Sequence, residues 1–177
     1  MRRLRVQSTN LESVKIINRT LLKDNRGFFD RLFCNKELKK ILNNKSIKQI
    51  NHSFTKKKGT LRGLHYQKNP YKEAKIITCL KGQIFDVAVD IRKDSKTYLK
   101  KTVNELSDQN NKSLFIPEGF AHGFQAMKDN CILVYFHTEF YNKKSSGYVN
   151  PLDPKLEIEW PLAISIISDI DQNTKFL

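Results

Sequence analysis

Short runs of alternating polar and apolar residues, separated by turn residues, constrain the fold of this 177-residue chain more than any other feature. Within Gln83–Ile91, Val87 and Val89 would point to one face of a strand and Asp86 and Asp90 to the other, because successive strand side chains alternate. Many short runs of this kind are typical of a β-sandwich or a β-barrel. The pattern alone does not choose between the two.

Other segments predict further strands, a hairpin and one helix. Further strands are predicted at 14–22, Phe28–Phe33, Lys75–Leu80 and Cys131–Thr138, the last with Leu133, Tyr135 and His137 on one face. The Lys81-Gly82 pair between two strands predicts a hairpin. The one clear helix is predicted at Asn35–Leu42, with Asn35 as its cap and an apolar face of Leu38, Ile41 and Leu42.

The length predicts one domain spanning residues 1–177. The formal net charge is +14, but the lysines lie in scattered pairs and triplets such as Lys56-Lys57-Lys58. No basic helix or aromatic-interleaved basic stripe accompanies them. The charge therefore favours a solvated surface, and no nucleic-acid partner is predicted.

Three cysteines, Cys34, Cys79 and Cys131, are widely spaced and form no Cys-x-x-Cys pair. They favour reduced thiols in a cytoplasmic protein. The basic start, Met1 to Arg5, is not followed by an apolar stretch, so we expect no signal peptide. No apolar run approaches membrane-spanning length, and no membrane association is predicted.

Two histidine segments suggest the chemistry. His65 lies in Gly-Leu-His-Tyr-Gln, and His122 ends a Pro-x-Gly-x-x-His segment that begins at Pro117. The second segment resembles the second motif of the cupins, which implies a mainly β, jelly-roll barrel with short peripheral helices. The first offers a single histidine, with Lys75 ten residues on. Because a lysine repels a metal ion and attracts an anion, we expect no metal and no other cofactor.

A closer resemblance covers almost the whole chain. It rests on Asp24–Phe29, Gln49–Ser53, Gly59–Gln67, Lys75, Asp86–Arg92, Ile116–Phe124, Asn150–Pro154 and Glu159–Pro161. These segments, in this order, resemble the dTDP-4-dehydrorhamnose 3,5-epimerase family. The resemblance implies epimerisation at C3, C5 or both of a nucleotide-linked 4-keto-6-deoxy sugar. It also implies a homodimer formed through N-terminal strands, here Asp24–Phe33.

Epimerisation next to a ketone needs a base, a group that stabilises the enolate oxygen and an acid on the opposite face. His65 is the best base candidate, although a hydrogen-bonded core histidine fits its spacing equally well. By position, Asp86 and Asp90 could hold its ring. The resemblance instead implies Asp171 as that partner, with Asp169 as the second choice.

The resemblance also implies the remaining roles. Lys75 would stabilise the enolate, Tyr135 would be the general acid and Tyr141 would stack on the nucleotide base. The other expected substrate contacts are Arg26, Phe29, Arg31, Gln49, Asn51, Arg62 and His122. An arginine fork suits a diphosphate, which favours Arg62 for that part of the substrate.

Three positions depart from the family pattern. Arg31 stands where the family has an acidic residue, Ser146 where it has glutamate and Ile170 where it has lysine. In the family all three belong to the nucleotide-binding end, so the reaction class is better supported than the nucleotide. Alternatives are a single-site epimerase, a ketoisomerase, an epimerase of a differently linked sugar, a metal-dependent cupin oxygenase and a non-catalytic sugar-nucleotide-binding module.

Overall fold

Thirteen strands are the main regular elements of the computed structural model, which describes residues 2–177. They are β1 (Leu4–Ser8), β2 (Lys15–Arg19), β3 (Leu22–Asp24), β4 (Gly27–Phe29), β5 (Gln49–Thr55), β6 (Leu61–Gln67), β7 (Lys75–Lys81), β8 (Gln83–Asp90), β9 (Lys101–Ser107), β10 (Lys112–Ile116), β11 (Phe120–Ala126), β12 (Cys131–His137) and β13 (Ser146–Tyr148). Two short helices, α1 (Asn35–Leu38) and α2 (Asp169–Asn173), and 3₁₀ turns at Lys143–Ser145 and Pro154–Leu156 lie around them. The predicted mainly β, cupin-type fold with short peripheral helices is confirmed.

The strands form two antiparallel sheets. The six-stranded sheet has the order β1-β2-β10-β7-β12-β5, and the five-stranded sheet has the order β13-β6-β11-β8-β9. Strands β3 and β4 form a separate hairpin that pairs only with itself among the described residues. Its turn lies where Asp24-Asn25-Arg26-Gly27 predicts one, with Asp24 paired to Gly27.

The main core lies between the two sheets. Residues of both sheets meet in it, including Ile77 and Leu133 from one and Ala88 and Phe124 from the other. The predicted alternation along β8 is observed, because Ala88 faces this core while Val87 packs on the outside. Val149, Leu156 and Trp160 of the C-terminal region cover that outer face. Both faces of the five-stranded sheet are therefore apolar over part of their area.

Three local predictions are wrong. Lys81-Gly82 forms no hairpin, because β7 and β8 belong to different sheets and Gly82, with a φ of +85°, makes the corner between them. The strand predicted at 14–22 is shorter, because β2 ends at Arg19 and Leu22 already begins β3, and the strand predicted at Phe28–Phe33 ends at Phe29. Local alternation predicts extended backbone but not which strand pairs with which.

The predicted helix Asn35–Leu42 is also too long. Regular helix ends at Leu38, and Cys34 rather than Asn35 stands at the cap position, without a side-chain hydrogen bond. Leu38 and Leu42 are nevertheless both buried against the outer face of the six-stranded sheet. So short a helix is stabilised by this packing rather than by its own propensity.

No helix in the part of the chain that the structure describes is both long enough and apolar enough to cross a membrane.

Gly63 allows β6 and β11 to approach closely beside the barrel interior. Its φ is +110°, and a Cβ at this position would lie 2.6 Å from Gly123 Cα and 2.6 Å from the His122 carbonyl oxygen. Both neighbouring atoms belong to the backbone of the adjacent strand, so they cannot move aside without disturbing the sheet.

Gly63→Ala is expected to lower the free energy of unfolding by at least about 3 kcal/mol, because it adds both backbone strain and a steric clash. Gly27→Ala is the control, since Gly27 also has a positive φ but a Cβ added there would have no atom within 4 Å. Strain alone should cost it about 1 kcal/mol. Urea unfolding at one protein concentration measures both, and equal losses would contradict the close-approach account.

Candidate active site

A cavity of about 640 Å³ opens between the two sheets at one end of the barrel. Strands β5, β7 and β12 of one sheet, β6, β11 and β13 of the other, and the C-terminal segment through α2 contribute its walls. Eight of the residues predicted from the sequence line it: Asn51, Arg62, His65, Lys75, His122, Tyr135, Tyr141 and Asp171. The other four, Arg26, Phe29, Arg31 and Gln49, are not among the lining residues.

His65 projects from β6 into the cavity and is held by a carboxylate. Its Nε2 lies 2.7 Å from Oδ1 of Asp171, and its side chain is 48% exposed whereas that of Asp171 is 4% exposed. An ionised carboxylate can only accept a hydrogen bond, so the neutral imidazole carries its proton on Nε2. Nδ1 is then the nitrogen with a free lone pair. The Tyr148 ring packs edge-on against the imidazole at 5.3 Å.

The start of α2 fixes Asp171. The Ser168 hydroxyl caps this helix by accepting from the Asp171 backbone N–H at 3.1 Å, and the Gly63 N–H donates to Asp171 Oδ2 at 3.1 Å. Burial by itself raises the pKa of the Asp171 carboxyl, but the hydrogen bonds and the charge of His65 outweigh it and hold this pKa below its ordinary value. The carboxylate is therefore ionised and can stabilise an imidazolium.

A second imidazole–carboxylate pair joins His122 to Asp86, with Nε2 of the histidine 2.8 Å from Oδ2 of the aspartate. Both are buried. The prediction that Asp86 or Asp90 could hold His65 is wrong, because β11 lies between β6 and β8 and separates them. Asp90 instead accepts from Arg92 and from two hydroxyl side chains. The second-choice partner, Asp169, is exposed.

A third cluster surrounds Lys75. Its Nζ lies 3.0 Å from Oε1 of Glu73, whose Oε2 lies 2.8 Å from Nδ1 of His137. All three side chains are nearly buried, with exposed fractions of 7%, 9% and 13% for Lys75, Glu73 and His137. Burial raises the pKa of Glu73, but the hydrogen bonds and charges of His137 and Lys75 reverse that effect and lower it to about 2.

Tyr135 faces the cavity from β12, on the wall opposite His65. Its hydroxyl lies 3.3 Å from the Ser53 hydroxyl, and its ring lies nearly parallel to that of His137 at 6.0 Å. Burial raises the pKa of the Tyr135 phenol to about 12, although the Ser53 hydrogen bond lowers it. The phenol is consequently a proton donor at neutral pH.

The more open part of the cavity carries Arg62, Asn51 and Tyr141. The Arg62 guanidinium donates to Thr55 Oγ1 at 3.1 Å and to a backbone carbonyl, which leaves other N–H groups for a ligand. Tyr141 is 61% exposed, and its backbone N–H donates to the Gln49 side-chain oxygen at 3.0 Å. Gln49 thus supports the segment that carries Tyr141.

The N-terminal positions lie outside the cavity of a single chain. Arg26 is at the turn between β3 and β4, ion-paired with Asp24 at 2.7 Å and 85% exposed in its side chain. Phe29 is 61% exposed. Arg31 donates to a carboxylate oxygen of Glu37. Their roles in substrate binding stay predictions.

The other two departures from the family pattern differ in placement. Ser146 lines the cavity, and its hydroxyl donates to the Asn142 carbonyl oxygen. Ile170 is 57% exposed and is not among the lining residues.

Several lining residues are not predicted from the sequence. His137 and Ser53 could have been found, because they lie two positions from Tyr135 and Asn51 on the same strand faces. Glu73, which lies just before β7, and Tyr148 carry no comparable local signal. Their places depend on strand pairing between distant segments.

Among residues 2–177, no three or more His, Cys, Asp or Glu side chains are grouped to hold a metal ion. Three histidines each direct one ring nitrogen at a carboxylate instead.

Glu73→Gln should destabilise the protein in a pH-dependent way. The ordinary pKa of this carboxyl is 4.5 and its folded pKa is about 2. Its stabilisation is therefore present above the unfolded value and lost as the pH falls through the folded one.

We expect the variant to lose about 2 kcal/mol of unfolding free energy near neutral pH, with about half of that difference from wild type near pH 3, where the unfolded carboxyl is protonated but the folded one is still largely ionised. Urea unfolding at both pH values measures this. A difference that does not change between them would contradict a charge-dependent contribution.

Comparison with known proteins shows which family the chain resembles. The family model described as dTDP-4-dehydrorhamnose 3,5-epimerase matches residues 8–177. A protein of that name from Shigella flexneri is 41% identical over 171 residues, which cover 96% of this chain and 94% of that protein. One from Methanothermobacter thermautotrophicus is 39% identical and covers 99% of this chain and 95% of its own.

Solved structures agree. The Bacillus anthracis dTDP-4-dehydrorhamnose 3,5-epimerase with TDP and PPi bound has a TM-score of 0.94 and 37% identity, covering 98% of this chain and 99% of that one. The Legionella pneumophila dTDP-6-deoxy-D-glucose-3,5-epimerase in complex with dTDP-4-keto-L-rhamnose has a TM-score of 0.93 and 36% identity, with 98% and 92% covered. Full-length sequence similarity and a shared barrel thus lead to one conclusion: the chain belongs to the dTDP-4-dehydrorhamnose 3,5-epimerase family, an isomerase family.

Proposed function

We propose that this enzyme epimerises C3 and C5 of dTDP-4-keto-6-deoxyglucose through an enolate. One observation carries the proposal: a carboxylate-held imidazole on one wall of the cavity faces a phenol and a buried ammonium on the other. The Legionella relative binds dTDP-4-keto-L-rhamnose, a 4-keto sugar nucleotide of the expected product class. The Bacillus relative binds TDP, which supports the nucleotide.

His65 would remove the proton next to the ketone. Nδ1 has the free lone pair, and Asp171 stabilises the imidazolium that forms when Nδ1 takes the proton. The 48% exposure of the His65 side chain leaves room for the sugar beside the ring. After each transfer the imidazolium can release its proton to water.

Lys75 would stabilise the negative charge that develops on the C4 oxygen. An ammonium group fixed in a nearly buried site interacts with an oxyanion more strongly than it would in water. The charge is in place before the reaction starts, so no reorganisation is needed at the transition state.

Tyr135 would return a proton to the opposite face of the enolate, and the phenolate left behind would regain a proton from water before the next carbon reacts. The carbon of an enolate is far more basic than a phenolate, so donation is favourable even from a phenol whose pKa is about 12. Because Tyr135 belongs to the six-stranded sheet and His65 to the five-stranded sheet, the two groups approach the sugar from different sides. Removal of the proton by His65 and its replacement by Tyr135 from the other side would invert the configuration of the carbon.

Arg62, Asn51, His122 and Tyr141 line the cavity and would bind the rest of the substrate. The guanidinium suits the diphosphate, and the exposed Tyr141 ring suits the nucleotide base. Of the solved structures similar to this chain, one from Streptomyces bikiniensis is a 3′-monoepimerase, with 28% identity and a TM-score of 0.88. The number of carbons that exchange protons is therefore a property to measure.

We further propose that the protein is a homodimer in which Arg26, Phe29 and Arg31 serve the partner's cavity. The β3–β4 hairpin exposes Leu22, Phe28 and Phe29, with exposed fractions of 46%, 67% and 61%. The edge strand β5 exposes Ile50 and Phe54. Exposed apolar groups on a hairpin and on an open sheet edge favour pairing with another chain.

A reducing compartment such as the cytoplasm fits the thiols. Cys34, Cys79 and Cys131 are all free, and the last two are buried. Burial raises the pKa of the Cys79 thiol to about 12, which keeps it protonated and unreactive.

His65→Asn is expected to abolish deuterium uptake from solvent into dTDP-4-keto-6-deoxyglucose, because asparagine cannot accept the proton. Loss of about 10³-fold or more in exchange is expected for removal of the base. His52→Asn is the matched control, since His52 also lines the cavity and has no assigned role. Near-normal exchange in His65→Asn would exclude this residue as the base.

Tyr135→Phe is expected to impair formation of inverted product more than deuterium exchange. Without the phenol, His65 and Lys75 can still form the enolate, and the proton then returns to the original face. Comparing the exchange rate with the rate of product formation separates the two steps. Equal loss of both would assign Tyr135 a positioning role instead.

Sedimentation at micromolar concentration is expected to find a dimer. Phe28→Asp should shift it toward monomer and weaken dTDP binding. Leu152→Asp, a change at a different exposed apolar residue, should do neither. A monomeric wild-type protein that binds dTDP tightly would contradict the shared site.

A further inference from the structure

The cluster around Lys75 lies where β7 begins. Glu73 stands two positions before Lys75, just outside the strand, and its carboxylate contacts the Lys75 ammonium. On the neighbouring strand, His137 is paired directly opposite Lys75, and opposite residues have adjacent side chains. One carboxylate is thereby placed where it contacts both a lysine and a histidine inside the cavity wall.

The two oxygens of Glu73 bind two different partners. Each oxygen of Glu73 has its own partner, with Lys75 Nζ at 3.0 Å from Oε1 and His137 Nδ1 at 2.8 Å from Oε2. An ammonium group has three N–H donors. Glu73 uses one of them, so a substrate oxygen can be bound by Lys75 at the same time.

Burial makes the carboxylate necessary. Lys75 is 7% exposed, and an unpaired ammonium in such a site is expensive to keep charged. On the side of β7 away from β12, the neighbouring strand is β10, where Ile116 stands opposite Lys75 and offers no charge. Without Glu73, Lys75 would face His137 on the neighbouring strand with no carboxylate between them.

We propose that Glu73 is a positioning residue that keeps Lys75 charged and directed at the substrate oxygen, and that His137 holds Glu73 in place. The catalytic part of this inference rests on the proposed role of Lys75 in stabilising the enolate. The charge-pairing part rests only on the geometry of the three side chains.

His137 also connects this pair to the acid. An ionised carboxylate only accepts, so the neutral His137 ring carries its proton on Nδ1, which fixes the ring orientation. The same ring lies nearly parallel to Tyr135, with an interplanar angle of 18°. Glu73 thus orients the Lys75 ammonium directly. Through His137 it also fixes the ring that packs beside Tyr135.

The direct test is a pH titration of Lys75 by NMR, in protein carrying lysine labelled with ¹³C at Cε and with Lys75→Arg used only to assign the signal. The remaining charged or titratable side chains around the cavity include Arg62, the pairs His65–Asp171 and His122–Asp86, and Tyr135. They are unchanged in all variants. Glu73→Gln keeps the shape of the side chain and removes its charge.

We expect the midpoint of the Lys75 signal to fall by about one pH unit or more in Glu73→Gln, because the charged form loses its partner. Glu139→Gln is the matched control. Glu139 also binds a lysine, Lys48, with both oxygens 2.7 Å from its Nζ, but at the surface. It should leave the Lys75 midpoint unchanged. An unchanged midpoint in a folded Glu73→Gln protein, with folding checked by circular dichroism, would overturn the inference.

Kinetics provide a second readout. Glu73→Gln should lower kcat for deuterium exchange about tenfold or more while changing KM little, and His137→Phe, which keeps a ring against Tyr135, should give a smaller loss. A rise in KM with unchanged kcat would contradict a positioning role. Absence of exchange in the wild-type enzyme would refute the proposed function instead and would leave the titration result standing.

Discussion

Charge balance inside the open end of the barrel is the constraint on which this active site depends. Lys75, His122 and His137 are nearly buried between the sheets and lose most of their hydration, so each needs a hydrogen-bonding partner. The structure satisfies this with three pairings: His65 with Asp171, His122 with Asp86, and His137 together with Lys75 on Glu73. Each carboxylate fixes a tautomer or a charge state, and each leaves other donor or acceptor atoms free for a substrate.

The inward-facing side chains of a strand change from polar at one end of the barrel interior to apolar at the other. Along β7, the inward row runs from Lys75 to Ile77, and along β12 it runs from Tyr135 to Leu133, which packs in the main core. The apolar end holds the sheets together, and the polar end holds the proposed base and acid. Because His65 and Tyr135 belong to different sheets, they remain at a fixed separation as long as that core is intact. Rigid placement of this kind is what makes proton transfer between defined faces efficient.

Much of this could be predicted from the sequence, and the failures have physical causes. The resemblance places Asp171 beside His65, although 106 residues separate them, whereas reasoning from strand position favours Asp86 or Asp90. Strand alternation correctly places Asp86 on the face opposite Val87, but it does not show that β11 lies between β8 and β6. Sheet order is set by long-range pairing, which leaves no local pattern.

The N-terminal residues illustrate a different limit. Arg26 and Phe29 are expected from the sequence to touch substrate, yet in one chain they lie on an exposed hairpin outside the cavity. Arg31 is engaged by Glu37. A sequence resemblance suggests a role for a residue but does not show whether a single chain brings that residue to the cavity. In contrast, His137 follows from simple alternation along β12 once Tyr135 is placed.

The central claim is that the base and the acid act from opposite walls, so that exchange and inversion occur together. The most direct test is NMR of dTDP-4-keto-6-deoxyglucose incubated in D₂O with the wild-type enzyme, with deuterium and configuration assigned carbon by carbon. The account predicts deuterium at C3 and C5, each with inverted configuration. Exchange at both carbons with retained configuration would contradict it, because the proton would then return from the wall that removed it.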